Sequence, residues 1–326
     1  MRVSTEADFD SMVRGAKLIA VVAAWVELGI VDKLAKATEP VPVDELPGDR
    51  RAVELSASVL ANAGLLDGDG EAVRLSPTGR RLYEQGELPS PKNLEWFGDL
   101  SRMTDVLREG GPVRDENGRS KVTRGGVRPE DTQRTREFLD MLYRRSAESA
   151  AETASWIARH VPAGARALDL GGGHGRYAHE LKQRGMEATL FDLPVPADLA
   201  RERFGDELRV VAGDYKTDDL GGPYDVALLS NIVHGEDDAS NRALTQKLAQ
   251  SLAPGGLLVI KDMFLDEQGR DPENAAFFTT TMLYYTEGGR SYSLRDVKAW
   301  YESAGLEGFD VIAVESFTLT LARRPR

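Results

Sequence analysis

One stretch constrains this chain more than any other: Ala167-Leu168-Asp169-Leu170-Gly171-Gly172-Gly173-His174-Gly175-Arg176-Tyr177. It reads as a short apolar strand that runs into a glycine-rich turn. A helix over Tyr177 to Arg184 follows, with Ala178, Leu181 and the stem of Lys182 on one stripe. A strand, a tight turn and a helix N-terminus leave backbone N–H groups pointing outward. Glycine lets a polar or anionic ligand come close to them. Two ligand classes use such a turn. A dinucleotide fingerprint requires Gly-x-Gly-x-x-Gly; here Gly171 and Gly173 fit, but the third position is Arg176. The spacing is instead Asp-x-Gly-x-Gly-x-Gly, through Asp169, Gly171, Gly173 and Gly175.

From Ala167 the chain alternates strand and helix. Strands are predicted at Ala188 to Phe191, ending at Asp192, and at Leu208 to Val211, ending in Gly213-Asp214-Tyr215. Another covers Tyr224 to Ser230 and ends at Asn231, with His234 just beyond. A helix over Asn241 to Leu252 stops at Pro254-Gly255-Gly256, and Leu257 to Ile260 is the next strand. This alternation predicts an α/β fold, a Rossmann-like doubly wound parallel sheet with helices on both faces. The last strands, around Val311 and Leu319, are too close in sequence for a parallel crossover, so they predict an antiparallel hairpin. In open parallel sheets a ligand lies beyond the carboxyl ends of the strands. The glycine turn, Asp192, Asp214, Asn231 and His234 all fall there.

The N-terminal third is helical. Asp10 to Gly29 reads as a long helix whose apolar residues, Met12, Val13, Leu18, Ile19, Val22, Trp25, Val26 and Leu28, cover more than half its circumference. Such a helix is buried on more than one side, and in so small a domain a second chain is the expected extra cover, a homodimer. Short helices follow at Val31 to Ala37 and Val43 to Leu46, then one at Arg51 to Ala63. Leu66 to Gly70 turns a hairpin, Glu71 to Leu75 returns, and Ser76-Pro77 starts another helix. Helix, helix, helix, hairpin is a winged-helix arrangement. DNA binding is one reading of it, as a regulator. Against that, Glu54 accompanies Arg50 and Arg51, and the wing tip carries Asp67, Asp69 and Glu71, which would repel phosphate. Asn93 to Leu107 predicts an amphipathic helix bearing Leu94, Trp96, Phe97, Leu100 and Met103. Gly110-Gly111-Pro112 and the run from Gly118 to Pro129 read as a loop, and Thr132 to His160 as one long helix leading into the glycine strand and sitting over it.

A net charge of −12 argues against nucleic-acid and anionic-membrane partners, which need a basic face. The absence of cysteine excludes disulfides and thiolate chemistry and suits a reducing cytoplasm. His160 and His179 lie in helical stretches without metal-ligand spacing, so no metal is expected. The start, Met1-Arg2-Val3-Ser4-Thr5-Glu6, has no signal-peptide pattern, and the apolar run Leu18 to Val26 is too short to span a bilayer.

The glycine run resembles motif I of class I S-adenosylmethionine methyltransferases. Nearly the whole chain is similar to the small-molecule O-methyltransferases of plant caffeate and bacterial antibiotic pathways, the N-terminal winged helix matching that family's dimerisation domain. The resemblance implies domains at 1–110 (dimerisation), 111–160 (linker and connecting helix) and 161–326 (methyltransferase). It implies S-adenosylmethionine as cofactor and a hydroxyl of an aromatic or polyketide-like small molecule as acceptor. Asp169, Gly171 and Gly173 stand in the cofactor loop. Asp192, with Leu193 beside it, matches the acid that holds the ribose hydroxyls. Gly213-Asp214-Tyr215 matches the Gly-Asp-aromatic element at the adenine. Ser230 and Asn231 lead into Asn231-Ile232-Val233-His234, which matches the segment ending in the catalytic histidine. Asp262 matches the carboxylate that orients it. Gly288-Gly289-Arg290 and Ala304-Gly305-Leu306 match later elements. Histidine suits proton removal because its ordinary pKa is near neutrality. This chain departs in three places: Gly235 stands where an Asp often follows the histidine, Ser291 where a second carboxylate is usual, and Asp262 where many relatives have Glu. Relatives of this fold that methylate carbon, or that use the cofactor for other chemistry, are the alternative expectation.

Overall fold

The computed structural model describes residues 3–68, 71–88, 98–114, 118, 120, 132–314 and 317–326. The chain divides into two compact units, Met1–Met103 and Thr104–Arg326.

The first unit combines helices with a small antiparallel sheet. Helix α1 (Glu6–Glu27) starts one turn earlier than its apolar pattern predicts, because Thr5 and Asp8 form a reciprocal capping box. Helices α2 (Ile30–Lys36), α3 (Arg50–Asn62) and α4 (Pro77–Glu84) follow, α4 with Pro77 in its first turn and Ser76 as cap. The expected helix at Val43 to Leu46 is a single 3-10 turn, Val43–Glu45. Just before it, β1 (Val41–Pro42) is a strand that the two prolines concealed. It pairs with β3 (Ala72–Leu75), which also pairs with β2 (Leu66–Gly68). Asp69 and Gly70 of the predicted turn lie outside the described residues. The core collects Val22, Trp25, Ile30, Leu34, Val53, Leu60, Leu66 and Val73.

Of the predicted Asn93 to Leu107 helix, Leu94, Trp96 and Phe97 lie outside the described residues, as does most of the expected loop from Gly118 to Pro129. Residues 98–100 of that stretch are helical, 101–102 form a turn, and helix α5 covers Met103–Glu109. The single helix expected over Thr132 to His160 is two, α6 (Thr132–Arg145) and α7 (Ala147–Ala158). The break is at Ser146 (φ −86°, ψ 3°), whose hydroxyl approaches Tyr143 O at 3.4 Å and so competes with the helical backbone pattern.

The second unit is built on a seven-stranded sheet in the order β6-β5-β4-β7-β8-β10-β9. Its members are β4 (Arg166–Leu170), β5 (Glu187–Asp192), β6 (Arg209–Ala212), β7 (Tyr224–Ser230), β8 (Leu252–Asp262), β9 (Glu307–Val314) and β10 (Phe317–Arg323). Strands β4 to β8 run parallel, and β10 is antiparallel to both β8 and β9. The doubly wound sheet and its terminal hairpin are therefore as the alternation predicts. Pro254-Gly255-Gly256 does not end an element before the fifth strand. It lies inside β8 as an irregularity, where pairing steps from Tyr224–Leu252 to Val226–Leu257.

Helices α8 (Arg176–Gln183), α9 (Pro194–Phe204), α10 (Asp238–Ser251), α11 (Glu273–Tyr285) and α12 (Leu294–Ser303) complete the unit. Period-two alternation along the strands splits the core in two. Ala167, Leu228, Val259 and Leu319 pack with Ala154 and Ile157 of α7 and Leu181 of α8. Leu168, Leu229 and Ile260 pack on the other face with Leu248 of α10 and Trp300 and Tyr301 of α12. Trp300 is fully buried and gives its indole N–H to Asp238 Oδ1 at 2.8 Å, so truncating it to alanine removes about 3–5 kcal/mol of packing and strands an acceptor. Among the described residues no helix is long and apolar enough to cross a membrane.

Candidate active site

The glycine turn follows β4, which is buried from Ala167 onward. Gly171, Gly173 and Gly175 all take positive φ (70°, 45° and 78°), a region closed to most side chains, so the alternating glycines first satisfy the backbone. Asp169, below the turn, is completely buried. Its Oδ2 accepts from Ala178 N at 3.0 Å in the first turn of α8, and its Oδ1 has no partner. Burial pushes this carboxyl up to about 7.

Asp192 closes the turn onto β5. Its Oδ2 accepts from Gly173 N at 2.7 Å and its Oδ1 from Leu193 N at 2.6 Å. The backbone of Asp192 also receives Gly213 N at 2.8 Å, which brings in the end of β6. A side chain at Gly213 would meet the Phe191 ring at 2.6 Å, so only glycine lets these strand ends meet. Asp214 accepts from Lys216 N through Oδ1 at 2.8 Å, and Tyr215 donates its hydroxyl to Glu236 Oε1 at 2.7 Å.

Helix α6 lies over the turn, as expected. Arg176 donates to Tyr143 O at 3.2 Å and stacks its guanidinium 3.8 Å from the Tyr143 ring centroid. Arg203 donates to His174 O and pairs with Asp140. His174 is buried. Its Nδ1 accepts from Arg176 N at 3.1 Å, leaving the ring proton on Nε2, 3.5 Å from Ser146 Oγ. Burial, with Arg203 and Arg176 nearby, pushes its pKa down to about 3, so it is a neutral packing residue. A cavity of 220 Å³ opens beside the turn, lined by Leu139, Gly173, His174, Leu199 and Arg203 among others. Another, of 640 Å³, lies by His160, Pro254 and Arg323 and touches none of the predicted site residues.

At the end of β7, Ser230 Oγ is buried without a partner and Asn231 adopts a left-handed φ of 57°. His234 follows on a one-turn 3-10 helix, Val233–Gly235. Its Nδ1 lies 2.8 Å and 3.0 Å from the two oxygens of Asp262, at the end of β8. An Nδ1 proton given to that carboxylate leaves the lone pair on Nε2. Asp262 is buried, which alone would raise its pKa. The charge and hydrogen bond of His234 and the bond from Met263 N outweigh that and hold it below the usual range. Phe278 of α11 stands edge-on to the imidazole, centroids 4.9 Å apart.

The two departures near His234 have structural accounts. Gly235 faces open space, and the acid missing there stands one residue later. Glu236 is buried and accepts from Tyr215 and, at 2.7 Å, from Lys216 Nζ, tying the β6 loop to the histidine loop. Ser291 donates to Ala275 O at 2.7 Å and anchors α11 instead of facing the imidazole. Gly288 and Gly289 pack against the histidine loop, where a side chain at Gly289 would lie 2.2 Å from His234 O. Glu236 and Lys261 are the site-lining residues that sequence reasoning passed over. Their one signal was nearness in sequence, Glu236 two residues after His234 and Lys261 just before Asp262.

Residues 130–309 match the family described as O-methyltransferase domain (Methyltransf_2). The tetracenomycin polyketide synthesis 8-O-methyl transferase of Streptomyces glaucescens is 27% identical over 321 residues, covering 92% of this chain and 91% of that protein. The 3-hydroxy-5-methyl-1-naphthoate 3-O-methyltransferase of Streptomyces sahachiroi is 26% identical over 308 residues, covering 86% and 84%. Human N-acetylserotonin methyltransferase, solved in complex with S-adenosylmethionine, shares the fold at a TM-score of 0.75 and 23% identity over 100% of both chains. With more than half of its length inside that one family match, this chain belongs to the O-methyltransferases.

Proposed function

We propose that the chain moves the methyl group of S-adenosylmethionine onto a hydroxyl of an aromatic or polyketide-type small molecule, with His234 as the base. The observation that carries the reading is the His234–Asp262 pair at the ends of β7 and β8, one and two strands from β4 and its glycine turn. The residues present fit that cofactor. Asp192 offers a carboxylate at the turn, Ser230 offers a buried hydroxyl without a partner, and Gly173 leaves backbone open where a Cβ would sit 3.2 Å from Leu139. Asp169, Gly171, Gly173, Asp192, Leu193, Gly213, Asp214, Tyr215, Ser230 and Asn231 would hold it. When bound, it supplies a sulfonium-activated methyl group. His234 Nε2 takes the acceptor's proton as the oxygen attacks, while Asp262 fixes the ring and stabilises its charged form. Phe278 offers a ring edge beside the base for a planar acceptor. Calorimetry is expected to show S-adenosylhomocysteine binding and no NAD binding, because Arg176 replaces the third dinucleotide glycine; NAD affinity without S-adenosylhomocysteine affinity would overturn the reading.

We further propose a cytoplasmic homodimer assembled through residues 1–110 as a winged-helix dimerisation domain, with 111–160 connecting it to the catalytic residues 161–326. Phe9, Met12 and Val13 of α1 are 57%, 38% and 40% exposed within the chain, an apolar face without cover. Val22, in contrast, belongs to the unit's own core, so a charge there unfolds the unit instead of testing assembly. The double variant Met12→Glu, Val13→Glu is expected to stay folded and run as a monomer. Wild-type protein that is monomeric in light scattering at micromolar concentration would refute the dimer.

A further inference from the structure

Lys261 is the penultimate residue of β8 and only 5% exposed. Successive strand residues point to opposite faces. Asp262 therefore serves His234 on one face, while Lys261 projects onto the other, toward Tyr177 of α8. Lys261 Nζ donates to Asn231 Oδ1 at 3.2 Å and lies 4.6 Å and 5.6 Å from the ring centroids of Phe317 and Tyr177. Ring faces attract a cation but accept no conventional hydrogen bond. An ammonium has three donors, and among the described residues only the Asn231 amide accepts from this one, with no carboxylate at ion-pair distance. The residue in register with Lys261, and hence on the same face, is Ser230, whose buried hydroxyl has no partner. Asn231 itself is exposed. A buried cation and a buried hydroxyl thus lie one amide below the surface, at the strand ends beside the glycine-turn helix. Asp262 lies within electrostatic reach of Lys261 but is not bonded to it; a buried ammonium with open donors is costly, and a ligand anion on those donors would remove that cost.

We propose that Lys261, with Ser230 beside it, is a carboxylate-binding site that takes the α-carboxylate of the methyl donor. This rests on the cofactor reading above. The donor's amino-acid end carries its one carboxylate, and Lys261 faces away from the His234 side, where the acceptor belongs. The pairing forms no covalent bond; it anchors the end of the cofactor farthest from adenine.

Calorimetry on the full chain with three ligands separates the outcomes. S-adenosylhomocysteine has the carboxylate, its α-carboxamide is neutral there, and 5′-methylthioadenosine lacks the amino-acid end. Wild type is expected to bind S-adenosylhomocysteine at least about tenfold more tightly than the carboxamide, as a charge-assisted bond requires. In Lys261→Met that gap should close: S-adenosylhomocysteine weakens by about tenfold or more, while 5′-methylthioadenosine stays within about twofold. Lys261→Arg should keep most of the gap. Unchanged S-adenosylhomocysteine affinity in Lys261→Met overturns the proposal, and so does an equal loss for S-adenosylhomocysteine and 5′-methylthioadenosine, which marks a structural role. If circular dichroism shows Lys261→Met unfolded, wild type and Lys261→Arg decide; equal wild-type affinity for acid and carboxamide overturns it. Wild type that binds none of the three ligands removes the cofactor reading itself.

Discussion

Replacing His234 by alanine is expected to slow methyl transfer by about a hundred- to ten-thousand-fold, the usual share of a positioned base, while S-adenosylhomocysteine affinity stays within about twofold. The geometry separates the two effects. His234 is bonded to Asp262, whereas the glycine turn is held by Gly173 N on Asp192, Arg176 on Tyr143 O and Arg203 on His174 O. Asp262→Asn is expected to cost less, because an amide oxygen still accepts the Nδ1 proton but adds no charge to stabilise the imidazolium. The pH profile carries an independent sign. Asp262 is held below the usual carboxylate range, so it stays ionised until the pH falls well below that range. The carboxylate that orients the imidazole therefore stays charged through the neutral and mildly acid range, and its contribution to the rate is lost only at strongly acid pH. If His234→Ala keeps most of its activity, the acceptor ionises unaided and the enzyme works by alignment alone.

Gly173→Val is expected to reduce cofactor affinity by at least about a hundredfold, through geometry and not chemistry. Gly173 sits at φ 45°, where a β-branched residue is strained, and its Cβ would already lie 3.2 Å from Leu139 Cδ2 before any γ-methyl is placed. The turn must shift, and Gly173 N, which donates to Asp192, shifts with it. Stability should fall by about 1–3 kcal/mol. Gly185→Ala is the control: it has φ 83° and nothing within 4 Å of its Cβ, so it carries backbone strain without crowding. It should lower the melting temperature slightly and leave binding intact. Equal ligand affinity in Gly173→Val and wild type, measured by calorimetry, would show that the turn is not the cofactor cradle.

Much of this chain was legible because its signals are local. Alternating glycines allow positive φ at every second position whatever surrounds them, and apolar runs between turn residues specify strands by composition and spacing. The short link before Phe317 leaves an antiparallel hairpin as the sole option. Where the sequence misled, a longer-range contact or a local competition had outweighed the pattern. Pro40 and Pro42 look like breakers, yet Val41 pairs with Val73 across the unit. Thr132 to His160 is periodic throughout, yet Ser146 interrupts it beneath His174. Val22 reads as part of the α1 surface that a second chain would cover, yet it lies in the unit's own core. The site shows the same division. Residue types at strand ends named His234 and Asp262 as candidates, but only folding set them 2.8 Å apart across two strands. Gly235 read as a missing acid until the structure put Glu236 on Tyr215 and Lys216. Lys261 and Asp262 are neighbours in sequence, and the pleat of β8 sends one to each face of the sheet, which no one-dimensional pattern records.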